Sequence, residues 1–243
     1  MNLSKEFHEQ GFHVVNNVYD KDEINTISNF ISNLDSTNPI FRKTDDLFAI
    51  RQFVKEFPEI KKLLFNENLK GIIKNISGED YFIVKSIYFD KPEKSNWFVS
   101  YHQDLTISVD KKIEDKKFSN WTKKHNQFAV QPPEEILENI FTIRIHLDDT
   151  NKDNGALKVL KKSHLKSICR IDSIDFEKEI EVFCNVKSGG IMLMKPLLFH
   201  ASNKTTNDKN RRVIHIEFSN KELPQNLQWS EFSQIENFTS HNS

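Results

Sequence analysis

Residues 141–164 read FTIRIHLDDTNKDNGALKVLKKSH, and this stretch decides the fold class. Its first half alternates apolar and polar side chains, as a half-buried β-strand does. One face carries Ile143, Ile145 and Leu147, and the other carries Arg144, His146 and Asp148. A turn-like Asn-Gly follows, and then a second β-like run, ALKVL at 156–160. The stretch therefore predicts two strands of a sheet.

Similar runs lie on both sides of this stretch. Runs rich in Val, Ile, Phe and Tyr occur as YFIVKSIYF at 81–89, GGIMLM at 189–194 and RRVIHIEFS at 211–219. Each has the length of a strand and is flanked by residues that favour turns. The last two-thirds of the chain is therefore predicted to be mostly β.

The first third of the chain favours helices. Asp20 fits an N-cap, with Glu23 at the capping-box position, for a helix with one apolar face. That face consists of Ile24, Ile27, Ile31 and Leu34. A second helix is predicted over 58–76, and Gly78 follows as a stop signal. Its apolar residues at helical spacing are Ile60, Leu63, Leu64, Ile72, Ile73 and Ile76.

Composition argues against several classes of protein. The 243 residues are 37% hydrophobic and 28% charged, which suits a domain with a substantial core. The net charge of -1 provides no overall field for nucleic acid or an acidic membrane surface. No apolar run is long enough for a membrane span, and the start MNLSKEFHEQ lacks a secretory signal, so a cytoplasmic location is expected. Cys169 and Cys184 match no zinc spacing.

The spacing His-x-Asp occurs twice in the chain. In a strand this spacing puts both side chains on one face, as for His102 with Asp104 and for His146 with Asp148. Two such side chains could bind a metal ion, but the tripeptide also arises by chance and in structural polar networks. Neither pair predicts a metal site by itself.

A third histidine provides the missing ligand. His200 ends the apolar run GGIMLMKPLLFH at 189–200, so its side chain should emerge where a strand meets a cavity. Two histidines and one carboxylate form the facial triad of non-haem Fe(II) oxygenases. Arg211 follows eleven residues later, and its guanidinium could hold the distal carboxylate of 2-oxoglutarate bidentately. The hypothesis is an iron site with a place for this cosubstrate.

Three segments resemble the phytanoyl-CoA dioxygenase family of Fe(II)/2-oxoglutarate oxygenases. They are WFVSYHQDLTISV at 97–109, QPPEEILENIFTIRIHLDDTNKDNGALKVLKKSH at 131–164 and GGIMLMKPLLFHASNKTTNDKNRRVIHIEFSNKELP at 189–224. The likeness extends from about residue 12 to residue 229. It implies a mainly β fold with flanking N-terminal helices, a double-stranded β-helix (a jelly-roll, cupin-like barrel) with iron at its open end.

The resemblance also implies a role for individual residues. The HQD element supplies His102 and Asp104 as iron ligands, and the HAS element supplies His200. The arginine for 2-oxoglutarate falls on Arg211, and Ser202 matches a hydroxyl that assists this arginine.

One position departs from the family pattern. Lys162, in NGALKVLKKSH at 154–164, stands where glycine is usual. The departure lies away from the iron, so the ligand assignment stays. It puts the local turn in doubt, because glycine tolerates φ angles that lysine does not.

The alternative pair, His146 and Asp148, is disfavoured. Only 51 residues lie between Asp148 and His200, which is tight for the four strands that a jelly roll places there. If the polar face of this strand lines the barrel, Arg144 and His146 border the substrate or cosubstrate; a structural network is an equal alternative. Other candidates for the pocket, each of which also fits a surface or packing role, are Tyr101, Lys91 and Trp121.

A single oxygenase domain is expected over 1–243. It comprises a helical part over about 1–78, a jelly-roll core over about 79–229 and a polar tail over 230–243. Residues 110–131 interrupt the β pattern with mixed charge and fit either a lid or a solvated excursion.

The implied activity is that of a dioxygenase dependent on Fe(II) and 2-oxoglutarate. It would use O2, release succinate and CO2, and hydroxylate an unactivated C–H bond of a small molecule, with ascorbate as a supportive reductant. Two rivals are a non-catalytic jelly-roll binding protein and a Zn-dependent cupin-like hydrolase or isomerase, because the same ligands suit Zn(II). Arg211 argues against both rivals. Neither the substrate nor the oligomeric state follows from the sequence.

Overall fold

The computed structural model describes residues 2–34, 41–44, 47–78, 80–93, 95, 97–124, 127–224 and 227–235. Its α-helices are α1 (Leu3–Gln10), α2 (Lys21–Ser32), α3 (Phe53–Glu56), α4 (Lys61–Leu64), α5 (Glu67–Ser77) and α6 (Glu134–Glu138). Short 3₁₀ helices cover Pro58–Ile60, Lys152–Asn154, Ser163–Lys166, Ile171–Ser173 and Phe176–Lys178. None of the helices in these ranges is both long and apolar enough to cross a membrane.

The β-strands form three sheets. The strands are β1 (Phe12–Val15), β2 (Phe41–Thr44), β3 (Leu47–Arg51), β4 (Phe82–Lys91), β5 (Val99–His102), β6 (Ile107–Val109), β7 (Ser119–Lys124), β8 (Gln127–Gln131), β9 (Phe141–His146), β10 (Leu157–Leu160), β11 (Glu181–Phe183), β12 (Ile191–Met194), β13 (His200–Ser202), β14 (Arg211–Ser219) and β15 (Ser233–Gln234). The large sheet has the order β1-β12-β9-β14-β4-β3-β2, with β15 also paired to β4. The small sheet has the order β11-β10-β13-β5, and the third has the order β6-β8-β7.

The large and small sheets face each other. Met192 and Met194 of β12 share one buried apolar cluster with Leu157 and Val159 of β10. The opposite face of the large sheet packs against the helices in a second cluster. Its strand residues include Ile143, Ile145, Ile191, Leu193, Ile214 and Ile216, and its helix residues include Ile24, Ile27, Leu69 and Ile73. Each β-like run of the sequence forms a strand, as predicted.

The first third of the chain is less helical than its pattern predicts. The capping box of Asp20 and Glu23 is present and begins α2. The helix predicted over 58–76 is wrong as one element, because the chain leaves the helical conformation at Phe65. Asn66 then caps a new helix, α5, by accepting a hydrogen bond from the Leu69 N–H. The strands β1, β2 and β3 also lie within the part expected to be helical.

Lys162 adopts the conformation for which glycine is suited. Its φ is 67° and its ψ is 3°, in the left-handed region. Its backbone N–H donates to the Gln10 carbonyl at 3.0 Å, which ties this turn to the end of α1. The turn therefore forms with lysine in it, at a conformational cost of about 1 kcal/mol.

The segment 110–131 is packed against the body of the protein. It contains β7 and β8, which form the third sheet with β6, while residues 125–126 lie outside the described part. Phe118 and Val130 are buried in a cluster that also contains Trp229. Of the two alternatives for this segment, the packing disfavours a solvated excursion.

The beginning of the expected polar tail is also packed, and 236–243 lie outside the described residues. Glu231 is buried, with 2% of its surface exposed, and accepts a hydrogen bond from the Ser86 hydroxyl of β4. The same hydroxyl accepts from the Val54 N–H at 2.8 Å, so one serine joins the tail to α3. Burial raises the pKa of Glu231 from 4.5 to about 7.

This raised pKa makes stability fall as the pH rises. Because the folded state favours the protonated carboxyl, the stabilisation is complete below the unfolded pKa of 4.5 and is lost as the pH rises through about 7. We expect wild type to lose about 2 kcal/mol relative to Glu231→Gln between about pH 5 and about pH 8 in urea unfolding. Glu222→Gln, at an exposed site before the tail, is the control. A pH-independent difference would contradict the prediction.

Candidate metal centre

His102 and His200 face each other on adjacent strands. β5 and β13 pair antiparallel with His102 directly opposite His200, and their ring centroids lie 4.2 Å apart. Asp104 follows β5, where its backbone N–H donates to the Pro196 carbonyl at 2.8 Å. One ligand atom from each of the three side chains lies within 4.8 Å of the others. In the described part of the chain this is the group of histidines and carboxylates able to hold a metal ion.

Both histidines are oriented by backbone carbonyls. Nδ1 of His102 lies 2.9 Å from the Ser100 carbonyl, and Nδ1 of His200 lies 2.9 Å from the Leu198 carbonyl. A carbonyl only accepts, so each Nδ1 carries the proton and each Nε2 presents its lone pair. The two Nε2 atoms lie 3.7 Å from the two carboxylate oxygens of Asp104. The residues therefore fit a divalent metal ion with imidazole and carboxylate ligands.

The electrostatics keep these ligands in their metal-binding protonation states. Burial would raise the pKa of Asp104, but the basic groups of His200, Lys85, His215 and His102 lower it to about 2. Burial lowers the pKa of His200 to about 4. At neutral pH the carboxylate is ionised and His200 is neutral. The His102 side chain is 41% exposed, so the site is open to solvent on that side.

A second cluster, the Arg211 cluster, consists of Arg211, Ser202, Lys91 and Gly155. Arg211 Nη1 and the Ser202 hydroxyl both donate to the Gly155 carbonyl. Lys91 lies opposite Arg211 in the large sheet, and its Nζ donates to the carbonyls of Trp97 and Asn203. Gly155 has a φ of 81°, and a Cβ there would lie 2.7 Å from Lys91 Nζ. The left-handed conformation favours glycine, and a larger residue would also require the Lys91 side chain to move.

Arg211 is a buried cation with spare hydrogen-bonding capacity. Only 5% of its surface is exposed, and its Nε has no hydrogen-bond partner in the described part of the protein. Burial and the neighbouring Arg144 lower the pKa of Arg211 to about 9, so it stays protonated at neutral pH. A carboxylate is the group that would satisfy both the charge and the fork of donors.

The competing pair, His146 and Asp148, is divided by the fold. Asp148 follows the end of β9 and accepts from Arg212 Nε at 2.9 Å and from Arg212 Nη2 at 2.7 Å. His146 points away from it, with Nδ1 2.8 Å from the Thr150 hydroxyl and Nε2 buried without a partner among described residues. Burial, Arg144 and Arg211 hold the pKa of His146 well below its usual value. The alternation in this strand ends before Asp148.

Sequence reasoning missed two charged residues on the inner face of the large sheet. Lys85 and Glu217 form an ion pair of 2.7 Å, and Glu217 also lies 3.1 Å from His215. The sequence pattern could have identified both. Alternation puts Glu217 on the same face of β14 as Arg211, and Lys85 on the same face of β4 as Lys91.

Two further candidates lie apart from the metal centre. The Tyr101 hydroxyl donates to Glu181, and the ring packs in a cluster with Leu160 and Phe199, on the face of β5 opposite His102. Trp121 packs in the third sheet's cluster and donates to the Phe118 carbonyl at 3.2 Å. The structure does not bring either side chain to the metal centre.

Comparisons with known proteins identify one family. Residues 7–213 match the family model described as phytanoyl-CoA dioxygenase (PhyH). A relative from Caenorhabditis briggsae, "Phytanoyl-CoA dioxygenase domain-containing protein 1 homolog", is 24% identical over 194 residues, which are 71% of this chain and 57% of that protein. The homologue of the same name from Caenorhabditis elegans is 23% identical, over 72% of this chain and 58% of that protein. The chain spans little more than half the length of these relatives.

Solved structures share the fold at low sequence identity. The non-heme alpha ketoglutarate dependent carbocyclase SnoK from nogalamycin biosynthesis has a TM-score of 0.65 and 15% identity, over 89% of this chain and 82% of SnoK. EctD from S. alaskensis with bound Fe has a TM-score of 0.65 and 17% identity, over 89% of this chain and 75% of EctD. HygX from Streptomyces hygroscopicus with nickel, 2-oxoglutarate and hygromycin B bound has a TM-score of 0.61 and 13% identity, over 88% of this chain and 84% of HygX. The predicted jelly-roll fold class is confirmed.

The two His-x-Asp pairs provide a matched test of the metal centre. We expect Asp104→Asn to weaken Mn(II) binding about 100-fold or more, because it removes the anionic ligand. Asp148→Asn should leave Mn(II) affinity unchanged, since Asp148 pairs with Arg212. Calorimetric titration of both purified variants measures this. Equal losses in the two variants, or a loss only in Asp148→Asn, would contradict the assignment.

Proposed function

Because the chain belongs to the phytanoyl-CoA dioxygenase family, whose model it matches over residues 7–213, we propose that it is a dioxygenase dependent on Fe(II) and 2-oxoglutarate. His102, Asp104 and His200 would hold the iron, and Arg211 with Ser202 would hold the distal carboxylate of 2-oxoglutarate. The proposed reaction hydroxylates an unactivated C–H bond of a small molecule and consumes O2.

One observation carries the proposal. A group of two histidines and one carboxylate, with ligand atoms within 4.8 Å, shares an interior with a buried guanidinium that has no carboxylate partner in the described residues. A metal-binding protein of another class has no need of this second feature. An uncompensated buried cation costs several kcal/mol, so its presence favours a bound anion in the working state.

The protein's own residues set the geometry of the reaction. Iron and 2-oxoglutarate, when bound, supply the oxidation that releases succinate and CO2. The Ser100 and Leu198 carbonyls fix the two imidazole rings, and so direct both Nε2 atoms to one point. The Gly155 carbonyl holds the Arg211 guanidinium in place before the cosubstrate arrives.

Known structures of the same fold support the choice of cofactors and ligand class. EctD is described with bound Fe, and HygX with nickel, 2-oxoglutarate and the small molecule hygromycin B. We further propose that residues 1–243 form one oxygenase domain, with a first part over about 1–78, a jelly-roll core to about 229 and a tail. Helices of the first part and strands of the large sheet share one apolar cluster, which supports a single domain.

Arg211 distinguishes this function from its rivals. We expect Arg211→Gln to weaken 2-oxoglutarate binding about 30-fold or more in the presence of Mn(II), because a charge-assisted pair is lost. Mn(II) affinity should stay within about twofold of wild type. Calorimetry measures both constants.

The neighbouring arginine is the control for this experiment. Arg212→Gln removes a guanidinium that binds Asp148 outside the barrel, so 2-oxoglutarate affinity should be unchanged. A hydrolase-like zinc site would lose metal in Arg211→Gln or would bind no 2-oxoglutarate at all. Wild-type protein with Fe(II), ascorbate and 2-oxoglutarate that formed no succinate with any substrate would favour a non-catalytic binding protein.

A further inference from the structure

Four polar side chains on the inner face of the large sheet form a continuous chain that the iron and 2-oxoglutarate do not require. Lys85 Nζ lies 2.7 Å from Glu217 Oε1, and the same oxygen lies 3.1 Å from His215 Nε2. His215 Nδ1 in turn lies 3.1 Å from Arg144 Nη1. We call these four residues the interior chain. It crosses three neighbouring strands, β4, β14 and β9.

The hydrogen-bond directions along the interior chain are determined. The Glu217 carboxylate only accepts, so His215 donates from Nε2 and its Nδ1 accepts from the Arg144 guanidinium. His215 is therefore held neutral and oriented, in agreement with a pKa lowered mainly by burial. One nitrogen of Arg144 is fixed by this contact. Its Nε is buried and has no hydrogen-bond partner in the described ranges.

Arg144 lies on the face of the large sheet that meets the small sheet, because its cross-strand neighbour Met192 packs with Leu157 and Val159 of β10. It lies on β9, directly opposite His215 of β14. His215 is four residues from Arg211, which is roughly 13 Å along that strand. Asp104 raises the pKa of Arg144 against the effect of burial, and Arg144 contributes to lowering the pKa of His200. Arg144 is thus within electrostatic reach of two of the three proposed iron ligands. Arg211 lies farther along the sheet.

The charges of the filled site leave Arg144 without a counter-charge. Lys85 and Glu217 neutralise each other, and Arg211 would be neutralised by the distal carboxylate of 2-oxoglutarate. The two charges of Fe(II) would be balanced by Asp104 and the remaining carboxylate of the keto acid. No carboxylate of the described residues lies within ion-pair distance of Arg144. Its surface is only 7% exposed, so the uncompensated charge would be costly.

We propose that Arg144 binds a carboxylate of the primary substrate, which is therefore an organic acid whose acid group lies beside the iron. This inference rests on the proposed function, because the substrate must bind next to the metal and cosubstrate. The interior chain holds the guanidinium through Nη1 and leaves the Nε side for the substrate. The carbon to be oxidised would then lie close to the substrate's carboxylate.

The first step of the test establishes what holds 2-oxoglutarate. Protein loaded with Mn(II), which binds without turnover, is titrated with 2-oxoglutarate for wild type, Arg144→Lys, Arg211→Lys and the control Arg212→Lys. We expect Arg211→Lys to lose at least tenfold in affinity, while Arg144→Lys and Arg212→Lys stay within about threefold of wild type. Equal losses in Arg144→Lys and Arg211→Lys would assign Arg144 to the cosubstrate and overturn the proposal.

The second step uses acids and their neutral isosteres as probes. Straight-chain and phenyl-substituted monocarboxylic acids, and the primary amide of each, are titrated into the complex with Mn(II) and 2-oxoglutarate. For at least one pair, wild type should bind the acid at least tenfold more tightly than the amide. In Arg144→Gln this ratio should fall to about two or less, and in Arg212→Gln it should be unchanged. The ratio within one variant is insensitive to general damage to the fold.

The outcomes separate the two proposals. If wild type binds 2-oxoglutarate but no acid of the series, or prefers amides, the substrate assignment fails and the proposed oxygenase stands. If the selectivity ratio survives in Arg144→Gln, another group recognises the acid and the role of Arg144 is refuted. If wild type binds no 2-oxoglutarate with Mn(II), the proposed function itself fails, and this inference fails with it.

Discussion

The pairing of β5 with β13 is the contact on which the candidate site depends. It sets His102 directly opposite His200, although 98 positions separate them in the sequence. Asp104 joins them because its backbone donates to the Pro196 carbonyl, just before the segment that leads into β13. A one-residue slip in this register would turn one histidine to the other side of the sheet. The apolar packing between the two sheets holds the register, and the metal ligands follow from it.

The space between the large and small sheets contains several buried charged side chains. Lys85, Glu217, Arg144, Arg211 and Lys91 all point into the space between the sheets. Part of this charge is compensated within the protein, through the ion pair of Lys85 with Glu217. Of the other cations, Arg144 and Arg211 each have a buried Nε without a hydrogen-bond partner among the described residues. Removing such groups from water is costly, so we attribute their presence to the anions that the site binds.

Backbone carbonyls orient most of the functional side chains in this site. Those of Ser100 and Leu198 orient the imidazoles, and that of Gly155 receives both Ser202 and Arg211. A carbonyl in a fixed turn or strand is a rigid acceptor, because the backbone around it has little conformational freedom. Gly155 has a left-handed conformation, with a φ of 81°, and in this turn its carbonyl accepts from Arg211.

The sequence by itself predicted the runs that form β4, β9, β10, β12 and β14, placed Arg144 and His146 on one face of their strand, and identified His102, Asp104 and His200 as candidate ligands. Alternation is a local property, and a run of alternating residues fixes which side chains share a face. It did not determine the break at Asn66, the left-handed Lys162 or the partner of Asp148. Each depends on a group distant in the chain, such as Gln10 for Lys162 and Arg212 for Asp148. Only the tertiary structure decided that the interior chain ends in a guanidinium with no carboxylate partner in the described part of the protein, because a charge is compensated or not by what the fold brings within a few ångströms of it.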